Sequence, residues 1–233
     1  MKAVILAGGK GSRLAPYTMV LPKPLMPIGD MPILEIVLRQ LSRHGFDDVV
    51  IAVGHLAALI KTYFGDGSQF GLHIDYALED APMGTAGPIG VIEGLGETFL
   101  VMNGDILTDL DFNALVAAHR ELGAILTIAA YKRTVSIDFG VLEREGVMVR
   151  DYIEKPKLDY VVSMGIYVME PKVREHMKPG EYLDVPDLVR RLLAKGERIG
   201  TYGFEGRWLD IGRPDDFLEA QSRFEEHRDQ FLR

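Results

Sequence analysis

A glycine-rich turn placed directly after a short apolar run is the feature that most limits what this chain can fold into. Val4–Ala7 is apolar throughout, as in a buried parallel strand, and glycines 8, 9 and 11 follow it at once. Glycine lets the backbone turn sharply, and the N–H groups of such a turn form a concave anion-binding surface. Arg13 and Lys23 add positive charge that can grip phosphate. The start of the chain therefore predicts a site for a nucleoside triphosphate.

Two better-known glycine motifs do not match. A P-loop requires G-x-x-x-x-G-K-[ST], which no stretch of the chain fits. The dinucleotide-binding fingerprint G-x-G-x-x-G begins at Gly9 but has Leu14 where the third glycine belongs. Prolines 16, 22, 24 and 27 also prevent a helix from opening after the glycines. We therefore expect a long extended segment that carries Lys23 to the site.

The composition is typical of a cytosolic enzyme. The chain has 233 residues, 47% of them hydrophobic, which is enough for one large α/β domain or two small ones. The lack of cysteine excludes disulfides, thiolate catalysis and cysteine-bound metals. A net charge of −8 argues against nucleic acid and anionic membranes as partners. No signal segment precedes the first strand, and no apolar run approaches the roughly 20 residues of a membrane span. We therefore expect a cytoplasmic protein.

Apolar runs and helical patterns alternate along the first half of the chain, which predicts a parallel sheet covered by helices on both faces. The predicted helices are Pro32–His44, Leu56–Phe64, Asp111–Leu122, Val185–Lys195 and Pro214–His227. The predicted strands after the first are Asp48–Val53, Leu72–Leu78, Thr98–Met102 and Ala124–Tyr131, then the closely spaced Phe139–Glu143, Val147–Asp151 and Val161–Met169. The fold class we predict is α/β: a Rossmann-like, doubly wound, mostly parallel but mixed sheet in a three-layer αβα arrangement.

Residues 6–14, LAGGKGSRL, followed by residues 22–28, PKPLMPI, resemble the signature of the sugar-1-phosphate nucleotidyltransferases, also called nucleotide-sugar pyrophosphorylases. Ser12 stands where that family usually has Thr, and it keeps the hydroxyl. The molybdenum-cofactor guanylyltransferases share the opening string but place their lysine closer to the arginine, so they fit less well. The resemblance extends over nearly the whole chain.

This resemblance implies transfer of a nucleotidyl group from an NTP to a sugar 1-phosphate, an EC 2.7.7 type of reaction. It implies one catalytic domain without the C-terminal β-helix that some family members add. Residues 1–137 would form the nucleotide-binding half and residues 138–233 the sugar-binding half.

Two aspartates far apart in the sequence are candidate magnesium ligands. Asp105 lies just past an apolar strand, at the sheet edge where ligands bind. Its Asn-Gly-Asp segment is also good turn chemistry, so the residues alone leave a turn role open. In the family the matching aspartate holds Mg²⁺, a hard cation that selects oxygen ligands. Residues 207–214, RWLDIGRP, resemble the family's Trp-x-Asp-x-Gly-x-Pro segment, which makes Asp210 the second ligand.

The candidate contacts to the sugar phosphate also come from the resemblance. Glu154 stands where the family binds sugar hydroxyls, and Lys155 stands where it binds the sugar phosphate. Gly140 matches a glycine whose backbone faces the sugar. Ser163 replaces an Asn of the family and is shorter.

Gly84 and Thr85 are candidate nucleobase contacts. Residues 84–87, GTAG, precede a predicted helix, and the backbone amides and carbonyls of such a loop can read base edges where no bulky side chain intervenes. This GTAG loop looks closest to that of the mannose-1-phosphate and heptose-phosphate guanylyltransferases. The resemblance implies GTP with mannose- or heptose-1-phosphate. UTP, dTTP or CTP with a glucose-type 1-phosphate is the alternative.

The predicted nucleotide contacts are Leu6, Ala7, Gly8, Gly9, Gly11, Ser12, Arg13, Lys23, Gly84, Thr85, Asn103 and Gly104. Arg13 and Lys23 are the candidate catalytic residues, and Mg²⁺ is the expected cofactor. The expected partners are the NTP and the sugar 1-phosphate, with self-association into a homo-oligomer left open. Two rival functions also stay open: a non-catalytic nucleotide-sugar-binding regulatory protein, and a glycosyltransferase whose Asp-x-Asp metal motif would be Asp109-Leu110-Asp111.

Overall fold

The computed structural model of the chain describes residues 1–79 and 81–232. Its strands are β1 (Lys2–Ala7), β2 (Pro27–Ile28), β3 (Met31–Pro32), β4 (Asp48–Val53), β5 (His73–Leu78), β6 (Phe99–Asn103), β7 (Ile106–Thr108), β8 (Leu126–Ser136), β9 (Val141–Glu145), β10 (Met148–Ile153), β11 (Lys157–Met169), β12 (Ile199–Phe204) and β13 (Trp208–Asp210). Its α-helices are α1 (Ile33–Arg43), α2 (Ala57–Phe64), α3 (Gly87–Val91), α4 (Phe112–Leu122), α5 (Val185–Ala194) and α6 (Pro214–Phe231). Within these described residues, no helix has both the length and the apolar character needed to cross a bilayer.

The central sheet has seven strands in the order β12-β8-β11-β6-β1-β4-β5. Strand β11 is antiparallel to both of its neighbours, and the other pairs are parallel. The inner strand β1 is flanked by β6 and β4, and its Val4 and Ile5 are fully buried. Burial on both faces explains why this strand reads as a continuous apolar run. The predicted mixed, mostly parallel sheet is confirmed.

Helices cover both faces of the sheet. Because side chains alternate along a strand, Ile5 joins the core cluster shared with α1, α2 and α4, whereas its neighbour Val4 joins the cluster shared with α3 and α5. These two clusters define the three layers that the sequence predicts.

The last helix, α6, returns to the segment that follows the glycine loop. Phe224 of α6 packs in a third apolar cluster with Ile28 and Ile36. Gln221 accepts a hydrogen bond from the N–H of Gly29 at 2.8 Å and donates one to the carbonyl of Pro27 at 2.7 Å. The two ends of the chain are therefore held together beside the glycine loop.

Three short 3-10 turns, and not the extended segment that we predicted, connect the glycine loop to Lys23. They occupy Ser12–Leu14, Tyr17–Met19 and Lys23–Leu25. The prolines exclude an α-helix, as expected, but the φ of proline suits a 3-10 turn, which needs hydrogen bonds over only three residues. The compact path keeps Lys23 beside the glycine loop.

Strands β8 and β11 are longer than predicted. They pair from Leu126 with Met169 out to Ser136 with Lys157, and the outer part is exposed. An exposed ribbon does not need the apolar pattern on which strand prediction depends, so only its buried part was recognised.

Strand β12, which we did not predict, is an edge strand that contains Gly200 and Gly203. Glycine is depleted in strands, so the pattern was weak there.

The starts of two helices depend on residues just outside them. Pro32, predicted as the first helical residue, ends β3 with a ψ of 150°, and α1 begins one residue later. Asp111 is the N-cap of α4, because its carboxylate accepts hydrogen bonds from the N–H groups of Asn113 at 2.8 Å and Ala114 at 3.0 Å. These bonds satisfy donors that a helix start otherwise leaves without acceptors.

Replacing Asp111 by alanine is expected to lower the free energy of unfolding by about 1 kcal/mol, because two N–H groups of α4 lose their acceptor. Asp111→Asn is the matched control, since asparagine caps a helix start as well as aspartate does. Urea unfolding followed by circular dichroism measures both variants. Equal stability of Asp111→Ala and the wild type would contradict the capping role.

Candidate active site

A cavity of about 450 Å³ opens at the carboxyl ends of β1 and β6. Ligands of open α/β sheets bind at this edge. Its lining includes every residue predicted for nucleotide, metal or catalysis: Leu6, Ala7, Gly8, Gly9, Gly11, Ser12, Arg13, Lys23, Gly84, Thr85, Asn103, Gly104, Asp105 and Asp210. The fold thus brings together residues from both ends and the middle of the chain, while their individual roles stay predictions.

Two positions of the glycine loop lie in close contact with neighbouring side chains. Gly11 has a φ of +61°, and a Cβ there would lie 2.9 Å from Thr18 Cγ2. Thr18 Oγ1 donates a hydrogen bond to the Gly11 carbonyl at 2.8 Å, which holds the turn. A Cβ at Gly8 would lie 2.1 Å from Glu79 Oε1. Glycine is therefore required at position 11 by the positive φ, while a side chain at position 8 would displace only the carboxylate end of Glu79.

Lys23 and Asp105 form an ion pair at the base of the cavity. The Lys23 ammonium donates a hydrogen bond to Asp105 Oδ2. Lys23 is only 9% exposed, and a charge so far removed from water requires a partner. The other carboxylate oxygen, Asp105 Oδ1, is buried and has no hydrogen-bond partner among the described residues. One oxygen of Asp105 is therefore available to a ligand.

The pairing of β7 with β13 places Asp210 beside Asp105. In this antiparallel pair Asp210 lies opposite Ile106, and the N–H of Ile211 donates to the carbonyl of Asp105 at 3.2 Å. Asp210 has a surface in the cavity, but the surrounding protein partly removes water from its carboxyl, which raises its pKa. The negative charge of Asp105 raises the pKa further, and the charges of Lys23 and Arg13 oppose this shift. Two carboxylates are thus held close enough to repel each other.

The residues present fit a hard divalent cation. Two carboxylates converge, one of them has an oxygen without a partner, and Mg²⁺ is commonly held by one or two carboxylates together with substrate phosphates. Within residues 1–79 and 81–232, no group of three or more His, Cys, Asp or Glu side chains is arranged to hold a metal. The candidate metal site is therefore this pair of aspartates.

Asp109 and Asp111, the motif of the glycosyltransferase alternative, both have structural partners. Asp109 accepts hydrogen bonds from the N–H of Arg207 at 2.6 Å and from its guanidinium at 3.0 Å. Asp111 caps α4. Neither residue lines the cavity at the glycine loop. These contacts give both aspartates a structural role, and the cavity that the two aspartates line is separate from the one at the glycine loop.

The loop with Gly84 and Thr85 lies on the cavity wall, but most of its amides are already used. The N–H of Thr85 donates to Asp184 Oδ1 at 2.9 Å. The next two N–H groups both donate to the carbonyl of Leu183, at 2.8 and 3.0 Å. This corrects the prediction that amides of this loop read the base: those of residues 85–87 bind protein acceptors. The hydrogen bond from the Thr85 backbone is also the main reason why the pKa of Asp184 is lowered.

The four predicted sugar contacts, Gly140, Glu154, Lys155 and Ser163, lie outside the lining of this cavity. Two of them share one neighbour on the β9–β10 hairpin. The hydroxyl of Tyr152 donates to Glu154 Oε2 at 2.9 Å, and a Cβ at Gly140 would lie 2.1 Å from the same hydroxyl oxygen. Gly140 and Glu154 are thus brought together through Tyr152.

The other two sugar candidates have distinct surroundings. Lys155 has a φ of +45°, a left-handed conformation that is strained for a residue with a side chain. Ser163 Oγ donates to the hydroxyl of Tyr167 at 3.2 Å. Burial raises the pKa of Tyr167, against the smaller effect of the Ser163 contact. The structure does not bring these residues to the glycine loop, and their sugar-binding role stays a prediction.

Several cavity residues were missed in the sequence: Glu79, Tyr182 and Asp184, together with Pro24, Pro82 and Pro88. Glu79 follows β5 as Asp105 follows β6, so its place after a strand was the available signal. Burial raises the pKa of Glu79, and a hydrogen bond from the N–H of Met83 opposes the shift. The Tyr182 hydroxyl donates to Asp184 Oδ2 at 3.1 Å. No motif marks Tyr182 and Asp184. They reach the cavity wall because the segment before α5 packs against the loop of residues 84–87.

Comparison with known proteins identifies the class. Residues 2–227 match the model of the family described as nucleotidyl transferase, and the chain belongs to this family. The resemblance stated from residues 6–14 and 22–28 is thereby confirmed.

Individual relatives carry related names. The chain is 36% identical to a UTP–glucose-1-phosphate uridylyltransferase from Synechocystis sp., over 94% of the chain and 62% of that protein. It is 33% identical to a mannose-1-phosphate guanylyltransferase from Mycobacterium tuberculosis, over 94% of the chain and 63% of that protein. The chain therefore spans slightly less than two thirds of the length of these curated relatives.

Solved structures show the same fold. One assigned as a glucose-1-phosphate thymidylyltransferase from Bacillus anthracis superposes with a TM-score of 0.77 at 26% identity, covering 96% of this chain and 94% of that one. A UDP-glucose pyrophosphorylase structure superposes with a TM-score of 0.72 at 21% identity, over 97% and 98% of the two chains. The predicted fold class is confirmed.

Gly84→Ala is expected to lower the free energy of unfolding by about 2–4 kcal/mol, because φ is +76° and the new Cβ would lie 2.5 Å from the Leu183 carbonyl oxygen. Gly146→Ala is the matched control: its φ is +61°, but nothing lies within 4 Å of the added Cβ. Gly146→Ala should lower the free energy of unfolding by only about 1 kcal/mol, because it strains the backbone without a steric clash. Urea unfolding compares the two, and equal losses would show that the contact with Leu183 does not matter.

Proposed function

We propose that this chain transfers a nucleotidyl group from an NTP to a sugar 1-phosphate and releases pyrophosphate. The observation that carries the proposal is the meeting of Lys23, Asp105 and Asp210 in one cavity beside the glycine loop. The names of the relatives reported above support the same reaction.

The chemistry needs positioned charge more than it needs a base. A phosphate oxygen of the sugar 1-phosphate attacks the α-phosphorus of the NTP. The bond from this phosphorus to the oxygen that bridges to the β-phosphate breaks, and its electron pair leaves with pyrophosphate. The attacking phosphate is already mostly ionised near pH 7, because its second pKa is about 6. Positioning and charge neutralisation are then the main contributions of the protein.

The predicted catalytic and metal-binding residues each have a role in this proposal. Arg13 and the glycine loop hold the β- and γ-phosphates, and Lys23 neutralises charge at the α-phosphate. Asp105 and Asp210 would hold Mg²⁺, which when bound neutralises phosphate charge. Because Lys23 is paired with Asp105 in the free protein, binding of substrate has to redistribute this ion pair.

GTP is the nucleotide we propose. With the amides of residues 85–87 bound to Leu183 and Asp184, the acceptors on this side of the cavity are the carboxylates of Glu79 and Asp184, both of which line it. Proteins read an unpaired base through hydrogen bonds to its Watson–Crick edge. That edge of guanine presents donors at N1 and at the amino group, whereas uracil presents only one N–H. Two carboxylate acceptors in the wall therefore favour guanine, with mannose- or heptose-1-phosphate as the second substrate.

UTP with glucose 1-phosphate is the second candidate. One observation favours it: the chain is 36% identical to a relative named for that reaction and 33% identical to one named for GDP-mannose synthesis.

Release of pyrophosphate measured over a panel of substrates tests these proposals. The panel combines GTP, UTP, dTTP and CTP with mannose, heptose and glucose 1-phosphates. We expect the highest kcat/KM with GTP and a mannose- or heptose-type acceptor. Fastest turnover of UTP with glucose 1-phosphate would establish the second candidate. Binding of a nucleotide-sugar without turnover of any pair would establish the regulatory alternative.

Asp105→Asn and Asp210→Asn are each expected to lower kcat/KM by roughly 100-fold or more while the fold stays intact, because an amide offers a dipole where the cation selects a charge. Asp111→Asn is the control, since Asp111 lies outside the cavity and asparagine preserves its cap. Turnover is measured against Mg²⁺ concentration, with circular dichroism to check folding. Full activity of either site variant at low Mg²⁺ would remove that residue from the metal site.

Lys155→Ala should impair every sugar 1-phosphate alike, because the phosphate is common to all of them. Glu154→Gln should change the preference among sugars, since a hydrogen bond from a particular hydroxyl to a charged group contributes roughly 1.5–3 kcal/mol. The comparison of kcat/KM for several acceptors in the wild type and both variants tests this. A uniform loss in both variants would show that Glu154 does not select the sugar, and no loss in either would place both residues in an ordinary surface loop.

A further inference from the structure

A second cavity, of about 680 Å³, adjoins the first and shares Arg13 and Asp210 with it. Its lining is rich in arginine: Arg13, Arg133, Arg207, Arg213 and Arg223. The chain as a whole has a net charge of −8, but these five arginines concentrate positive charge in this cavity. A cleft lined by one sign of charge concentrates the opposite ion, which here is an anion.

Two of the five arginines are neutralised by neighbours. Arg207 pairs with Asp109 at 3.0 Å, and Arg223 pairs with Glu219 at 3.0 Å. The other three, Arg13, Arg133 and Arg213, form no ion pair with any part of the chain that the structure describes.

Among the described residues, no acidic side chain of the wall forms an ion pair with these three arginines, although the charge of Arg13 does act on Asp210. Glu219 is the partner of Arg223, and Asp216 accepts a hydrogen bond from the N–H of Gly212 at 3.2 Å. Asp210 lies on the wall that the two cavities share. The cavity therefore keeps three guanidinium groups without a carboxylate partner, and guanidinium binds phosphate oxygens in pairs.

We propose that this second cavity binds the pyrophosphate leaving group, with Arg133 and Arg213 as its specific contacts. The inference rests on the proposed function, in which Arg13 holds the β- and γ-phosphates. Arg13 borders both cavities, and its guanidinium lies against Gly212, where an added Cβ would be 3.5 Å from Nη1. When the bond to the α-phosphorus breaks, the electron pair leaves with pyrophosphate, which is already at Arg13. The other two arginines without an ion-pair partner in the lining of the second cavity are Arg213, which follows Gly212 in the chain, and Arg133.

Binding of magnesium pyrophosphate to the nucleotide-free protein, measured by isothermal titration calorimetry, tests this site directly. The double variant Arg133→Gln/Arg213→Gln should lose at least tenfold in affinity for pyrophosphate. Arg43→Gln/Arg120→Gln is the matched control, because it also removes two positive charges, from exposed positions in the last turns of α1 and α4 outside both cavities, and it should stay within twofold of the wild type. Thermal unfolding checks that all variants keep their fold. An unchanged affinity in the double variant, or no binding of pyrophosphate by the wild type, would overturn the inference.

The reverse reaction separates this site from a general effect on turnover. With a nucleotide-sugar and pyrophosphate as substrates, the double variant should raise the KM for pyrophosphate at least tenfold and leave the KM for the nucleotide-sugar unchanged. Equal increases in both KM values would refute a site specific for the leaving group. Calorimetry needs no turnover, so the two proposals can fail separately. Arginine-dependent binding without turnover would refute the proposed reaction alone, and turnover with arginine-independent binding would refute the pyrophosphate site alone.

Discussion

The antiparallel pairing of β7 with β13 is the interaction on which the candidate site depends. Asp105 directly precedes β7 and Asp210 ends β13, so the two carboxylates meet only if these short strands keep their register. Two contacts hold the far end of the pair: Asp109 with Arg207, and the Thr108 hydroxyl with the Arg207 carbonyl at 2.8 Å. The apolar cluster of α6, which includes Leu107 of β7 and Ile211 just after β13, holds the near end. The last helix thus fixes the geometry of a site whose first half lies at the start of the chain.

The electrostatic balance of the site follows from this pairing. Two carboxylates held side by side repel each other, which contributes to the raised pKa of Asp210. In the free protein, Lys23 and Arg13 supply the opposing charge, and Lys23 is bound to one oxygen of Asp105. A divalent cation would relieve the same repulsion and release Lys23 toward a phosphate. In the proposed reaction, an incoming triphosphate with its metal would shift the site from one way of neutralising these two carboxylates to the other.

The sequence predicts the glycine loop and the strand before it well because their residues obey strong constraints. A strand buried on both faces must be apolar, and a turn that places Gly11 at positive φ needs glycine, so both leave visible patterns. The path to Lys23 was predicted less well, because proline excludes an α-helix but does not choose between an extended segment and 3-10 turns. The place of Glu79 after a strand was a signal that was not used, whereas Asp184 was missed because its place in the wall arises from tertiary packing. The amides near Gly84 were misjudged for the same reason, since their acceptors come from Leu183 and Asp184, nearly a hundred residues along the chain.

The segments predicted to contact the sugar obey weaker constraints, and this has a consequence for how the proposed specificity could change. The candidate residues lie on the β9–β10 hairpin and on the adjoining β11, away from the layered core, where Glu154 and Lys155 are exposed and side chains such as Phe139 and Val147 face solvent. Substitutions there remove little buried area, so they cost little stability. Residues that line the cavity at the glycine loop, in contrast, lie where β1, β6 and the β7–β13 pair converge. A change there disturbs the sheet itself. In the proposed function, the fold would therefore separate the reacting charges at the sheet edge from the predicted acceptor contacts, which lie on exposed strands that can vary at little cost to the core. One such scaffold can keep the same phosphate chemistry while its acceptor changes.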